Sequence, residues 1–234
     1  MIFRSTKTGI ETALERYGIF PHIRRVGFPE IELEMDTEYP RGQLLRIRSR
    51  PDGLLLMELV LRDSREHPPY RLLTVEWLVM QNPKARPTPQ RPLLPGQKHP
   101  GLGALRKLFL MWVMACERLG FDGIQFLPSH YHVAAQARGI LAFLKPDDAA
   151  WFAAVEEAVA GLPLAKATQV VHEKGLELVE TGETVEWRPS PMVLPVSSRL
   201  KEYLGSEKYQ ERLEETSRRI HIRRKGPKVF FSEN

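Results

Sequence analysis

The sequence predicts a mixed α/β (α+β) fold: a sheet of antiparallel and parallel strands flanked by helices, then a mostly helical C-terminal extension. Three observations predict it. Ile31, Leu33 and Met35 alternate with Glu30, Glu32, Glu34 and Asp36, the period of a half-buried strand. Two apolar runs flank Arg50-Pro51-Asp52-Gly53, where proline presets φ and glycine is free to take a positive φ, as a hairpin turn requires. An apolar run at Leu72–Met80 is then followed by a glycine-marked helix, a short strand and another helix.

Taken in order, residues 8–17 fit a short helix and 18–29 a loop. Strands are expected at 31–36, Leu44–Arg48, Leu54–Arg62 and Leu72–Met80. The last is nearly all apolar, the composition of a central strand covered on both faces. Residues 81–100 hold six prolines (83, 87, 89, 92, 95 and 100), which exclude regular structure. Leu105, Leu108, Phe109, Trp112, Cys116 and Leu119 recur at helical spacing, and Gly120 stands where such a helix stops. Ile124–Leu127 reads as a strand and Ala134–Leu144 as a second helix. Asp147–Ala160 and 164–174 read as two more, the first with acids in its opening turn. Leu176–Glu180 and Glu183–Trp187 frame a Thr181-Gly182 turn. A proline-marked link (189, 191 and 195) leads to helical stretches at Arg199–Leu204 and Glu207–Ile220. The division expected is 1–145 for the α/β domain and 146–234 for the extension.

Composition narrows the classes. With 42% apolar and 27% charged residues in 234, the chain is neither disordered, nor a coiled-coil rod, nor collagen-like. No apolar run reaches the roughly 18 residues of a membrane helix. Arg4 and Lys7 precede no apolar block, so no signal peptide is expected. The single cysteine, Cys116, excludes an intrachain disulfide and any cysteine-rich metal site. A cytoplasmic protein without membrane association is the simplest expectation.

The formal charge is +5, unevenly spread. Residues 218–234 carry Arg218, Arg219, Arg223, Arg224, Lys225 and Lys228 against Glu233 alone, and the rest of the chain is neutral. The stretch between Glu76 and Glu117 has no acid but contains Lys84, Arg86, Arg91, Lys98, Arg106 and Lys107, a charge pattern that a nearby anion would relieve. Solvation of an ordinary loop and helix face explains it equally.

Gln97-Lys98-His99-Pro100-Gly101-Leu102-Gly103 leads into the long helix. Glycines at 101 and 103 let a ligand approach the backbone, and unpaired first-turn N–H groups suit a phosphate. No Gly-Lys-Ser/Thr follows, so this is not a P-loop, and the third glycine of a dinucleotide fingerprint is missing. Lys98-x-x-Gly101-x-Gly103 after a central strand, opening a helix that ends in Leu119-Gly120-Phe121, resembles the pyrophosphate-binding segment of the GNAT acetyltransferase family. That family usually carries Arg or Gln where Lys98 stands. The following strand and the helix containing Ala134 keep the family's order, so the likeness spans about residues 30–145. The resemblance implies a GNAT-like mixed sheet and acetyl-CoA as ligand. Lys98, Gly101, Leu102, Gly103, Ala104 and Leu105 would bind it, the amides of 102–105 on the pyrophosphate. The proline-rich loop is long for the family. The family's acid, a tyrosine a few residues into the second helix, has no counterpart among Ala137, Arg138 and Gly139, and Tyr131 lies too early.

Ser129-His130-Tyr131-His132 follows a strand end, where α/β proteins place ligands. If extended, His130 and His132 point the same way, and either could act as base with Tyr131 as acid. A His-x-His metal site lacks an evident third ligand, and Ser129 lacks a nucleophile elbow. A polar cap on the next helix is the bland alternative. Glu58 and Glu76 are acids out of pattern in apolar runs, candidates for a base or ordinary solvent-facing residues. Trp77 and Trp112 read as core.

Three functions compete. The first is an acyl-CoA-dependent N-acyltransferase acting on a small-molecule or protein amine, with Glu76, His130, Tyr131 and His132 for proton transfer. The second is a non-catalytic binding or assembly module on the same fold. The third is nucleic-acid binding through the basic tail, read as a continuation of the last helix; stacking aromatics are missing from it until Phe230 and Phe231. A solvated helix, or a strand pairing with a second copy in a homodimer, accounts for the tail without nucleic acid.

Overall fold

A computed structural model describes residues 6–226. Helix α1 (Lys7–Arg16) is capped by Thr6, whose hydroxyl accepts from the Gly9 N–H at 3.3 Å. The stretch expected to be loop contains a second helix, α2 (Ile19–Arg25). Gly18 (φ 74°) turns the chain into it, and Pro21 is tolerated because first-turn N–H groups have no intrahelical partner. Seven residues are too few to show a helical period, and the burial of Ile19, Phe20 and Ile23 is what holds them.

Four antiparallel strands follow: β1 (Ile31–Asp36), β2 (Gln43–Ser49), β3 (Leu55–Ser64) and β4 (Leu72–Met80). The turn at 50–53 closes as expected, with Gly53 at φ 65°. Helix α3 (Leu105–Leu119) carries the chain back to β5 (Gly123–Phe126), which pairs parallel to β4. Leu108, Phe109, Trp112 and Cys116 bury the inner face of α3, each apolar side chain contributing roughly 1.5–3 kcal/mol. Gly120 ends the helix in the left-handed region at φ 67°.

The second helix, α4 (Tyr131–Ala137), starts and stops earlier than its pattern implied. Gly139 at φ 88° breaks it, and Ala142–Phe143 form the short edge strand β6. Helices α5 (Pro146–Ala158) and α6 (Leu164–His172) lead to β7 (Leu176–Leu178) and β8 (Thr184–Val185). The proline-marked link contains β9 (Met192–Pro195), hydrogen-bonded between β5 and β6 in the main sheet. Four residues show no alternation, so only their partners reveal the strand. Helices α7 (Ser198–Leu204) and α8 (Glu207–Ser217) follow. The basic run does not extend α8: β10 (Ile222–Arg224) pairs antiparallel with β7.

The main sheet has the order β1-β2-β3-β4-β5-β9-β6, antiparallel except at β4–β5, and β10-β7-β8 form a second, three-stranded sheet. Among the described residues a large apolar core draws on side chains from Leu14 to Ile222, and Leu72, Leu144, Val193 and Leu200 form a second, smaller one. No helix among the described residues is long and apolar enough to cross a membrane.

Candidate functional site

The site begins with a single inserted residue. Val60 faces Trp77 across β3–β4, but Leu61 faces Val75, so Glu76 is a β-bulge. The insertion keeps Leu78 and Met80 on the face of Leu73 and Val75, and turns Trp77 to the opposite face with Thr74. Pairing of β4 with β5 ends at the same point, at Val75–Phe126. At the far end of β4 the glycine turn takes over. Leu102 N–H donates to the Met80 carbonyl at 3.3 Å, and Asn82 N–H to the Pro100 carbonyl at 2.7 Å. Between these contacts no strand among the described residues pairs with the β5-side edge of Glu76–Val79, a slot about 13 Å long at strand rise. Antiparallel pairs bond at alternate residues, and Gln81 N–H bonds to Leu56 on the β3 side, so the backbone of Leu78 faces the slot. The expectation of a strand covered on both faces therefore holds for the first half of β4 only, and Trp77, expected in the core, is 51% exposed.

The turn is anchored from below and open above. Leu102 and Ala104 are buried, while Lys98, Gly101, Gly103 and Leu105 are exposed. His22 on α2 holds the Leu102 carbonyl at 2.8 Å. Gly103 sits at φ 78°, which side-chain-bearing residues rarely adopt, and a Cβ on Gly101 would meet nothing closer than 3.9 Å. Ala104 caps α3 without a side-chain bond, and its carbonyl accepts from Lys107 and Leu108. The N–H groups of Leu105 and Arg106 are left to a ligand or water. Arg106 and Lys107 stand on this first turn.

The four proton-transfer candidates part company. Glu76 lies at the closed end of the slot, its side chain 26% exposed, accepting from Arg62 Nε at 2.6 Å. Arg62 also reaches Glu66 at 2.9 Å. Glu58 is engaged by Arg46. His130 precedes the first turn of α4, its side chain making no cap bond. Its ring stacks on His132 at 5.5 Å and meets the edge of His172 at 6.1 Å. The proline-rich loop reaches this ring: a Cβ on Gly96 would come within 2.6 Å of His130 Nε2. Burial, then His172, lowers the His130 pKa. His132 is 3% exposed, and its Nδ1 has no partner. Burial, with His130 second, pushes it down to about 4, so it is neutral at pH 7. Tyr131 points elsewhere, into an aromatic cluster with Phe152 and Trp187, and burial raises its pKa.

No three His, Cys, Asp or Glu side chains among the described residues are placed to hold a metal ion. Cys116 is buried and pushed up to about 12 by desolvation, which makes it a packing residue. In the basic tail Arg218, Arg219 and Arg223 pair with Glu214, Glu215 and Glu177, so the described part is not a bare cationic surface. Lys228, Phe230 and Phe231 lie outside the described residues. A groove of about 420 Å³ between α6 and the small sheet is lined by Lys174, Arg224 and Lys225, of which Lys174 pairs with Glu186.

Sequence reasoning missed Arg62, His172, Gly96 and the exposure of Trp77. Each depends on a cross-strand or loop contact that no local pattern encodes. Comparison with known protein families and with curated proteins finds no match to this chain.

Proposed function

We propose that this chain is an acyl-CoA-dependent N-acyltransferase of GNAT type, with Glu76 as the base that takes the proton of the amine. The observation that carries the reading is the coincidence of three features: the bulge at Glu76, the end of β4–β5 pairing, and a glycine turn docked on the far end of β4 that feeds a helix. The donor supplies an activated thioester carbonyl when bound. The chain does the rest. The open backbone at Gly101–Gly103, the first-turn N–H groups and Arg106 suit a pyrophosphate. The free edge of β4 at Leu78 offers an N–H and a carbonyl to an extended arm carrying amides, as strand edges do for peptides. The same N–H can stabilise charge developing on a carbonyl oxygen in the slot. Glu76, fixed by Arg62, takes a proton from the ammonium to give the neutral amine; its nitrogen bonds the acyl carbon, the C–S bond breaks, and the proton then shed by the nitrogen leaves with the thiolate as free thiol.

The second reading is a non-catalytic binding module. It is favoured by the phenol: Tyr131 is enclosed by Phe152 and Trp187, and Ala137, Arg138 and Gly139 offer none. Titration calorimetry with acetyl-CoA, paired with thiol release in the presence of amines, separates the readings. Binding with amine-dependent thiol release that Glu76→Gln abolishes supports the transferase. Binding without release supports the module. No heat up to millimolar acetyl-CoA removes both in their CoA-binding form.

A further inference from the structure

We infer that the acceptor is a cationic amine with an apolar, aromatic body and no carboxylate, seated on the sheet face where β4 and β5 part. The inference rests on the transferase reading and concerns the other side of the same slot. Helix α3 covers one face of the sheet here, with Phe109 and Trp112 against Phe126. The opposite face carries Arg46, Glu58, Arg62, Glu76 and Trp77, and α7 approaches it at Gly123, whose added Cβ would meet Leu200 Cδ2 at 2.9 Å.

Two large, exposed apolar side chains flank the opening on this face. Trp77 comes from the β4 side, 51% exposed. Leu127 comes from the β5 side, 54% exposed, one residue past the strand and in the alternation of Gly123 and Gln125. Had the ladder continued past Val75–Phe126, Glu76 and Leu127 would be the next pair. An acid thus stands between two apolar walls, the arrangement that receives an ammonium group with a hydrophobic body.

Charge decides against other amines. Arg62 is shared by Glu76 and Glu66, so the three together carry −1, while Arg46 and Glu58 cancel. A carboxylate on the acceptor meets this negative charge, and the arginines of this face, Arg46, Arg48 and Arg62, are already paired with acids. A polyamine leaves Trp77 and Leu127 wet. Two oxygens at the closed end of the slot point the same way. Thr74 Oγ1 and Gln125 Oε1, on residues paired across β4–β5 and each 5% exposed, have no hydrogen-bond partner and can accept from a donor.

The test uses the full chain with acetyl-CoA and three probes: 2-phenylethylamine, phenylalanine and spermidine. Phenylethylamine is expected to be acetylated with kcat/KM at least about tenfold above the other two, the scale of burying one ring. Trp77→Ala is expected to raise its KM about tenfold and to narrow its kcat/KM advantage over ethylamine, which is too short to use the indole. Trp77 is half exposed, and circular dichroism and a thermal melt check the fold of the variant. Preference for phenylalanine or spermidine overturns the inference, as does an unchanged KM in Trp77→Ala. Phenylethylamine binding, followed by quenching of the fluorescence lost in Trp77→Phe, separates the failures. Quenching without acetyl-CoA binding sinks the transferase reading and leaves the amine site. Acetyl-CoA binding without quenching sinks the amine site and leaves the transferase.

Discussion

Asp122 stands where β4, β5, β9 and α7 meet, at the end of the β4–β5 ladder away from the slot, and its removal should destabilise the fold. Its carboxylate, 7% exposed, accepts from Arg199 Nε at 2.6 Å and Nη2, and from the Arg71 N–H at 2.8 Å. Its own carbonyl accepts from the N–H groups of Val196 and Ser197, at 2.8 and 2.9 Å. The Arg199 guanidinium, foremost, holds the carboxyl at about 2, against an ordinary 3.8. At roughly 1.4 kcal/mol per pH unit this is worth about 2.5 kcal/mol for Asp122, and water on the open side of the pair brings it to roughly 2 kcal/mol. Asp122→Asn keeps the shape and loses the charge, so it should cost about that much. Asp122→Ala also frees the Arg71 N–H and should cost about 3 kcal/mol. For a chain of this size the Asn variant should melt about 4–8 °C lower. A lowered carboxyl pKa stabilises above the unfolded value and ceases to as pH falls through the folded one. The gap between wild type and Asp122→Asn should therefore be constant from pH 8 to 5 and close between about pH 4 and 2. Urea melts across that range measure it. A gap that persists at pH 2, or that is absent at pH 7, refutes the argument.

His132 gives a dependence of the same sign in a higher pH window: buried neutral, it stabilises fully above pH 6.5, and the stabilisation fades as pH falls toward about 4, by roughly 2–3 kcal/mol. Replacing it with Phe should flatten that slope in denaturant melts at pH 7.5 and 5; equal slopes in both proteins would contradict it. Gly96→Ala combines a φ of 82° with a Cβ 2.6 Å from His130 Nε2, and should cost about 1–3 kcal/mol, with part of the loss recovered in a His130→Ala background. Failure of the double-mutant cycle to show coupling would mean that the loop is not seated on that ring. Deleting residues 222–234 removes the partner of β7 and the buried Ile222, so the truncated chain should melt several degrees lower; an unchanged midpoint would show that β10 adds no stability.

Local pattern was enough for the elements whose cause is local. The alternation at 31–36, the Pro-Asp-Gly turn at 51–53 and the apolar stripe ended by Gly120 each record the geometry of one element in its own residues, and the folded chain places strands, turn and helix there. Glu76 could be singled out because an acid interrupts an apolar run. That it bulges could not, since a bulge is a mismatch in count between two strands and exists only once β3 is paired. The same applies to β9, four residues whose place between β5 and β6 is decided by partners some 50 and 70 residues away. Tyr131 and Trp77 exchanged their expected places for this reason. Tyr131 shares a helix start with two histidines, yet Phe152 and Trp187 arrive from the C-terminal part to bury it. Trp77 reads as core by hydrophobicity, yet the bulge at Glu76 turns it away from the face of Leu73 and Val75 and leaves it 51% exposed. The basic tail shows the limit most plainly: helix and strand are equally compatible with Arg218–Lys225, and the open edge of β7 selects the strand. Periodicity is written along the chain, but which face ends up covered is written in the contacts between distant segments.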